Sequence, residues 1–394
     1  MKKLFKLFLM AIVVALLASC GTTTPETEPT ETEPTETTPV ETETEGETPT
    51  VGENDLYLIT DLGTIDDKSF NQGSYEGLNR YAQEAGLSAA KYLRPAGEGD
   101  QIYKQTIDQA VQAGAKVIVT PGFLFQVAVY EAQVQYPDVK FVAVDFEPAS
   151  VDYEVNVADN TVAILYREEQ SGFLAGYAAV KEGFTKLGFM GGMAVPAVIN
   201  FGYGYLSGAE YAAAELGVDV EVKYHYTGVF EAKPEINTLA ASWYNSGTEV
   251  IFSCGGGIWS SVDSAAKQTE GKYLIGVDSD QNDDSDRIIT SAMKALQQSV
   301  YDATKSAIEG DWKGGETLLY GADQNGVSLS SNFDRFETFT EADYTAIFGK
   351  LAANTDNLLD AIYSMTDSAP GEGLTVKEAM EPLTFEHVTV EIFE

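Results

Sequence analysis

From residue 55 onward, short apolar runs alternate with longer stretches whose apolar positions recur every three or four residues. "DLYLIT", "KVIVTP", "KFVAVD", "KLGFMGG", "EVIFSCGG", "KYLIGVD" and "IITSAMK" are the short runs. They are rich in Val, Ile, Leu and Phe and of strand length, as strands buried on both faces should be. "SYEGLNRYAQEAGL", "FQVAVYEAQVQYP", "INFGYGYLSGAEYAAAELG", "INTLAASWYNSG" and "ALQQSVYDATKSAIEG" predict amphipathic helices. Strand, helix, strand in repetition gives an α/β fold of parallel sheets, with right-handed crossovers and helices on both faces. Ligands of such sheets sit in the crevice at the carboxyl ends of the strands, so the loops after the strands are the ones to search. The pattern runs over about 340 residues, which suits two domains of roughly 150 to 170.

The first 54 residues break this pattern. Residues 1–20 carry Lys2, Lys3 and Lys6, an apolar run from Leu7 to Leu17, and a small-residue ending, Ala18-Ser19-Cys20. That is the layout of a secretory signal, too short and wrongly flanked for a spanning helix. Its "LASC" ending resembles a bacterial lipobox, which implies a lipid on Cys20 and anchoring on the outer face of the cytoplasmic membrane. Residues 21–54 are almost only Thr, Glu and Pro, with ten glutamates and neither Lys nor Arg. Such a segment cannot bury enough apolar surface to fold and reads as a disordered tether.

The whole chain carries a net charge of −37; the leader contributes +3 and the tether −10, leaving −30 on residues 55–394. A globule so acidic repels nucleic acid and anionic headgroups, so neither is an expected partner. Beyond Cys20 the sole cysteine is Cys254, which cannot form an internal disulfide and reads as a small buried residue.

The strand-end loops are "DLGTIDDKSFNQ", "PGF", "DFEP", "GGMAVP", "CGGGIW" and "DSDQNDDSD". They hold acids, amides, rings and glycines, and little nucleophile-plus-base chemistry. Both histidines, His225 in a strand-like run and His387 in the tail, fall outside these loops, so a Ser-His or Cys-His arrangement has no base there. "DSDQNDDSD" puts oxygens at alternate positions but has Asp283 and Ile289 where a calcium loop needs glycine and glutamate, so no metal is expected. Asp278, at the end of its strand, reads instead as a carboxylate facing the crevice, able to accept two sugar hydroxyls. "GYGYLSG" has its third glycine one position late for a dinucleotide fingerprint and reads as a close-packed helix start. In "DDKSFNQ", Ser69 or Asn71 could cap the next helix, with Asp66 and Asp67 favouring its dipole. Capping leaves Phe70 unexplained, because an apolar ring on a polar loop needs something to cover it. A ring beside amides, facing a carboxylate on an opposing lobe, suits a planar heterocycle bearing hydroxyls.

"TDLGTIDDKSFNQGSYEGL", "KLGFMGGMAVPAVINFGYGYLSGA", "LIGVDSDQ" and "ITSAMKALQQSVYDA", in this order and spacing, resemble the basic membrane lipoprotein family, which includes the purine-nucleoside receptor lipoproteins of ABC importers. The resemblance covers about residues 55–330. It implies a type I periplasmic-binding-protein fold, two doubly wound lobes joined by a hinge, with the lobes expected at 55–160 plus 291–325 and at 161–290 plus 326–394. It further implies a non-enzymatic receptor without cofactor, which closes around a nucleoside, a purine first, and delivers it to permease subunits. Carried over by position, Phe70 stacks on the base, with Asp67, Ser69, Asn71 and Gln72 in the same loop. Asp145 bonds the base edge, and Asp278 with Lys294 holds the ribose. Where the family has a glycine-rich loop, this chain has "GGGIWSSV", which offers Trp259 as a second ring around the base, or as a residue that narrows the pocket and changes the ligand. Phe201 and Phe123 are further candidates for that ring, with core packing as their simpler role. Competing functions are a sensor of the same shape, for a nucleoside, sugar or amino acid, without transport, and a nucleoside hydrolase resting on Asp278. The tail "EADYTAIFGKLAANTDNLLDAIYSM" reads as one long amphipathic helix.

Overall fold

The computed structural model describes residues 55–365 and 374–394. The expected leader, lipid-bearing Cys20 and tether lie outside the described residues. In chain order, the first strands are β1 (Leu56–Ile59), β2 (Lys91–Leu93), β3 (Val117–Pro121), β4 (Lys140–Val144) and β5 (Thr161–Tyr166). Five more follow, β6 (Lys186–Gly191), β7 (Val220–Tyr226), β8 (Val250–Cys254), β9 (Tyr273–Asp278) and β10 (Ile288–Lys294), and then β11 (Thr317–Tyr320), β12 (Val327–Leu329) and β13 (Val388–Ile392). The helices are α1 (Phe70–Glu84), α2 (Asp100–Gln112), α3 (Gln126–Gln135), α4 (Glu168–Glu182) and α5 (Pro196–Leu216). After them come α6 (Pro234–Asn245), α7 (Trp259–Ala266), α8 (Leu296–Glu309), α9 (Glu341–Ala352) and α10 (Val376–Met380).

Two sheets result, ordered β11-β5-β4-β3-β1-β2 and β12-β10-β9-β8-β6-β7-β13, with every pairing parallel except β10 with β12. Their central strands are apolar throughout because helices cover both faces: all of Leu56–Ile59, Val117–Pro121 and Val250–Cys254 is buried. The winding direction reverses between β1 and β3 in the first sheet and between β6 and β8 in the second, where β13 later returns to the β7 edge. Such switch points open a crevice at the strands' carboxyl ends.

The chain passes between the sheets three times: at Arg167 between β5 and α4, at Ala295 between β10 and α8, and through 321–326 between β11 and β12. Each passage follows a completed strand, which moves the expected lobe boundaries. Residues 161–166, expected in the second lobe, pair with β4 of the first sheet, and residues 291–294, expected in the first, belong to β10 of the second. The first turn of α4 fastens the other two passages: Gln170 Oε1 accepts from Ala322 N at 2.8 Å, and Ser171 Oγ donates to the carbonyls of Met293 and Ser328.

The "GYGYLSG" glycines lie in the middle of α5, not at its start, and let it meet α4 backbone to backbone. A Cβ on Gly204 would stand 2.0 Å from Glu169 O, and one on Gly208 2.0 Å from Phe173 O. The expected long helix of the tail stops at Ala352, because Asn354, Asp356 and Asn357 take left-handed backbone angles and Asn354 Oδ1 accepts the N–H of Leu359. Among the described residues no helix is long and apolar enough to cross a membrane.

Candidate functional site

The loops at the two switch points face one another and enclose a cavity lined by residues of both lobes and partly open to solvent. The first lobe supplies Asp61, Phe70 and Asn71 after β1, Gly122–Leu124 after β3 and Asp145 after β4. The second supplies Val195–Phe201 positions on and before α5, Phe230, Cys254–Gly256 after β8, and Val277, Asp278 and Lys294.

Rings enter from both sides. Phe70 opens α1 in the first lobe, while Phe201 and Phe230 come from the second. Phe230 owes its place to glycines: a Cβ on Gly192 would be 2.4 Å from its ring, and a Cβ on Gly256 2.9 Å from its carbonyl oxygen. The glycine-rich loop after β8 therefore wraps Phe230, and Gly257 N donates to Phe230 O at 2.8 Å.

At the charged end, Lys294 finishes β10 with only 2% of its side chain exposed. Its ammonium donates to Asp145 and lies 3.3 Å from Glu168 and 3.7 Å from Asp278. It also stands 5.0 Å from the ring centre of Phe70 and 5.2 Å from that of Phe201, within cation–π range. Burial alone would lower the lysine's pKa, but the three carboxylates outweigh it and raise it. Burial pushes the acids the other way from their usual ionised state: Asp145 rises to about 7 despite Lys294, and Glu168 and Asp278 rise as well. Asp145 Oδ2 carries the lysine, whereas Oδ1 is buried without a partner. Asp145 and Asp278 end topologically equivalent strands and both hold left-handed backbone, φ 66° and 68°, a conformation that Asp tolerates better than most residues and that gathers at functional sites. Asp61 is buried beside Asn71, which donates to it at 2.9 Å, and burial raises it to about 6.

Of the residues singled out from sequence, Phe70, Asn71, Phe123, Asp145, Phe201, Asp278 and Lys294 line one cavity. Asp67, Ser69, Gln72 and Trp259 stand beside it. Asp67 accepts the N–H groups of Ser69, Asn71 and Gln72, so it, rather than Ser69 or Asn71, caps α1. Ser69 Oγ donates to Asp278 at 2.6 Å across the lobes, and Gln72 bonds Glu76 on the outer face of α1. Trp259 does not line the cavity: it opens α7, and its indole N–H donates to Asp67 O at 3.2 Å, lobe to lobe. Phe123 and Phe201 both line the wall. In the acidic loop, Asp280 accepts from Ser330 Oγ and Asp284 lies 3.7 Å from Lys68.

Sequence reasoning missed Glu168, Asp61 and Phe230. Glu168 lies one residue past "TVAILY", a strand that reads as continuous with the helix after it, and Phe230 lies in the loop after "DVEVKYHY", outside the loops singled out by sequence. Asp61 stands two residues past the buried strand β1, in the loop that also carries Asp67 and Phe70.

Two doubly wound lobes, each with its switch point turned to a shared cavity, define the type I periplasmic-binding-protein fold. A solute-binding protein of an ABC transporter system from Aeropyrum pernix has this fold at TM-score 0.63 and 25% identity, over 78% of this chain and 88% of its own. Another from Conexibacter woesei matches at TM-score 0.58 and 19% identity, over 77% and 96%. Residues 56–352 match the family model of PnrA-like ABC transporter substrate-binding proteins, and the chain belongs to that family. Its relatives include the ABC transporter nucleoside-binding protein BmpA of Lactococcus lactis, 31% identical over 69% of this chain and 80% of that protein. Basic membrane protein B of Borreliella burgdorferi is 32% identical over 70% and 80%, and the CD4+ T-cell-stimulating antigen of Listeria monocytogenes 31% over 70% and 80%. The family is one of substrate-binding proteins, which implies a small ligand and permease partners.

Proposed function

We propose that the cavity binds a nucleoside, a purine first, and that the protein hands it to a membrane permease from a lipid anchor on Cys20. The observation that carries this reading is the pairing, within one cavity, of aromatic rings from both lobes with the buried Asp278–Lys294 pair. A heterocycle between Phe70 and Phe230 gains about 1 to 3 kcal/mol of stacking per base. The hydroxyls of an attached sugar then meet an acceptor in Asp278 and a donor in Lys294, so each group of the pair finds a partner of the right sense. Asp145 Oδ1, buried and unpartnered, takes an N–H or O–H from the ligand, since an unmade bond there costs about 1 to 3 kcal/mol. The name of the Lactococcus relative supports the same ligand class. Closure around the ligand is the expected motion, with the passages at 167, 295 and 321–326 as the hinge.

Isothermal titration with adenosine, guanosine, inosine, uridine, ribose and a set of amino acids tests this, on the wild type and on Phe70→Ala and Asp278→Ala. Nucleoside binding that both substitutions abolish supports the proposal. Binding of ribose or an amino acid with no heat from any nucleoside overturns it.

A further inference from the structure

One side chain reaches the Lys294 cluster from outside the cavity. Asn200, on α5, donates from Nδ2 to Glu168 Oε2 at 3.4 Å, while its Oδ1 accepts the backbone N–H of Met365 at 2.8 Å. The two neighbours demand opposite ends of the amide, because a carboxylate accepts and a backbone N–H donates. Asn200 is therefore fixed in one orientation. Glu168 presents its other oxygen to Lys294 at 3.3 Å. A chain of polar contacts thus runs from the tail through Asn200 and Glu168 to the ammonium in the cavity wall.

Asn200 is the first of a row. Tyr203 OH donates to Ala379 O at 2.6 Å, Ser207 Oγ accepts from Tyr363 N at 3.0 Å, and the Glu210 carboxylate accepts the N–H groups of Glu386, His387 and Val388. Positions 200, 203, 207 and 210 fall on one helix face. Each of the four thus has a partner from beyond residue 352, where the family match ends. The helix turns another face, with Val198 and Phe201, to the cavity, so α5 is held between the tail and the ligand site.

We propose that Asn200 is a positioning residue for the ligand site: it holds Glu168 against Lys294, and the C-terminal tail holds Asn200. Without it, Glu168 loses the one neutral side-chain donor it has among the described residues and keeps only its contact with Lys294 to hold it in place. Asp145 and Asp278 share the same ammonium, so a displaced Glu168 redistributes the charge that the ligand meets.

For its ligand readout this inference rests on the nucleoside reading. The test therefore carries a second readout. Two variants of the full chain in detergent, Asn200→Asp and Asn200→Leu, are titrated with inosine and guanosine from pH 5.5 to 8.5, and unfolded by denaturant without ligand over the same range. Asn200→Asp keeps the acceptor for Met365 but sets a second carboxylate against Glu168. Like charge raises the proton affinity of the pair by about one unit or more. A carboxylate raised in the folded state favours stability at low pH and loses it as pH rises. The expected result is nucleoside binding that weakens roughly tenfold as pH rises through about one unit, with a stability deficit that grows in the same direction. Asn200→Leu weakens binding by a factor independent of pH. Asn200→Asp behaving as wild type at every pH overturns the proposal and leaves Asn200 as a tail anchor only. If the wild type binds no nucleoside, the proposed function falls while the unfolding series still decides here: a deficit growing with pH supports the positioning role, and a flat one overturns it.

Discussion

Lys294→Met removes the one cation from a cluster of three buried carboxylates while keeping most of the volume. The lysine side chain is 2% exposed, and those of Asp145, Glu168 and Asp278 are 6%, 5% and 7% exposed. Removing one partner of a buried ion pair costs about 3 to 5 kcal/mol, because the remaining charge has neither water nor a counterion. Here the acids have an escape. Lys294 is what lowers their pKa values against burial, and Asp145 stands at about 7 even with it. In the variant all three rise further and the folded protein takes up protons. A folded-state pKa above the unfolded value of about 3.9 means stability present at low pH and lost as pH climbs through the raised value. The expected deficit is therefore about 3 to 5 kcal/mol at pH 8, shrinking by about 1.4 kcal/mol per pH unit for each proton taken up, and largely gone near pH 5. Denaturant unfolding of wild type and variant from pH 5 to 8.5 measures it. A deficit below about 1 kcal/mol at pH 8, or one that stays level across the range, would show that the carboxylates are already neutral and that Lys294 compensates nothing.

Two other changes probe closure and the helix contact. Trp259→Phe keeps the ring and removes the N–H that joins α7 to Asp67 O; a neutral bond worth about 0.5 to 1.5 kcal/mol predicts ligand release roughly two- to tenfold faster in stopped flow, with association unchanged, and slower association alone would refute a latch. Gly204→Ala places a Cβ 2.0 Å from Glu169 O, so α4 and α5 must part at a cost of about 1 to 3 kcal/mol in thermal unfolding. Gly349→Ala, on α9 with open space around it, should stabilise by up to about 1 kcal/mol, and equal effects at both glycines would sink the close-packing argument.

Why the sequence revealed half of this site follows from what makes a residue conspicuous. Phe70 stood out because an aromatic ring on a polar loop has no local purpose, and Asp278 because a carboxylate ending a buried strand must face the crevice. Lys294 and Asp145 required the family resemblance: nothing local separates a buried lysine after "IITSAM" from a solvated one. Glu168 was hidden by periodicity, since strand β5 runs into α4 through a single residue and the two read as one apolar stretch. Phe230 was hidden by the shape of its support, for the glycines at 192, 255 and 256 look like a phosphate or ligand loop and instead make room for a ring carried by a different loop.

The same packing decides the place of Trp259. Trp259 sits in the glycine-rich loop and invites the role of second stacking ring. Yet the loop's glycines bring the backbone against Phe230, which lines the second lobe's side of the cavity. The indole at 259 stands outside the cavity lining and donates its N–H to the first lobe's backbone at Asp67. Asp67 is the same residue that caps α1 and thereby fixes the start of the helix bearing Phe70. On the proposed reading, a bulky residue at 259 acts on the ligand through this contact between lobes, and so on its release, more than through the shape of a cavity that it does not line.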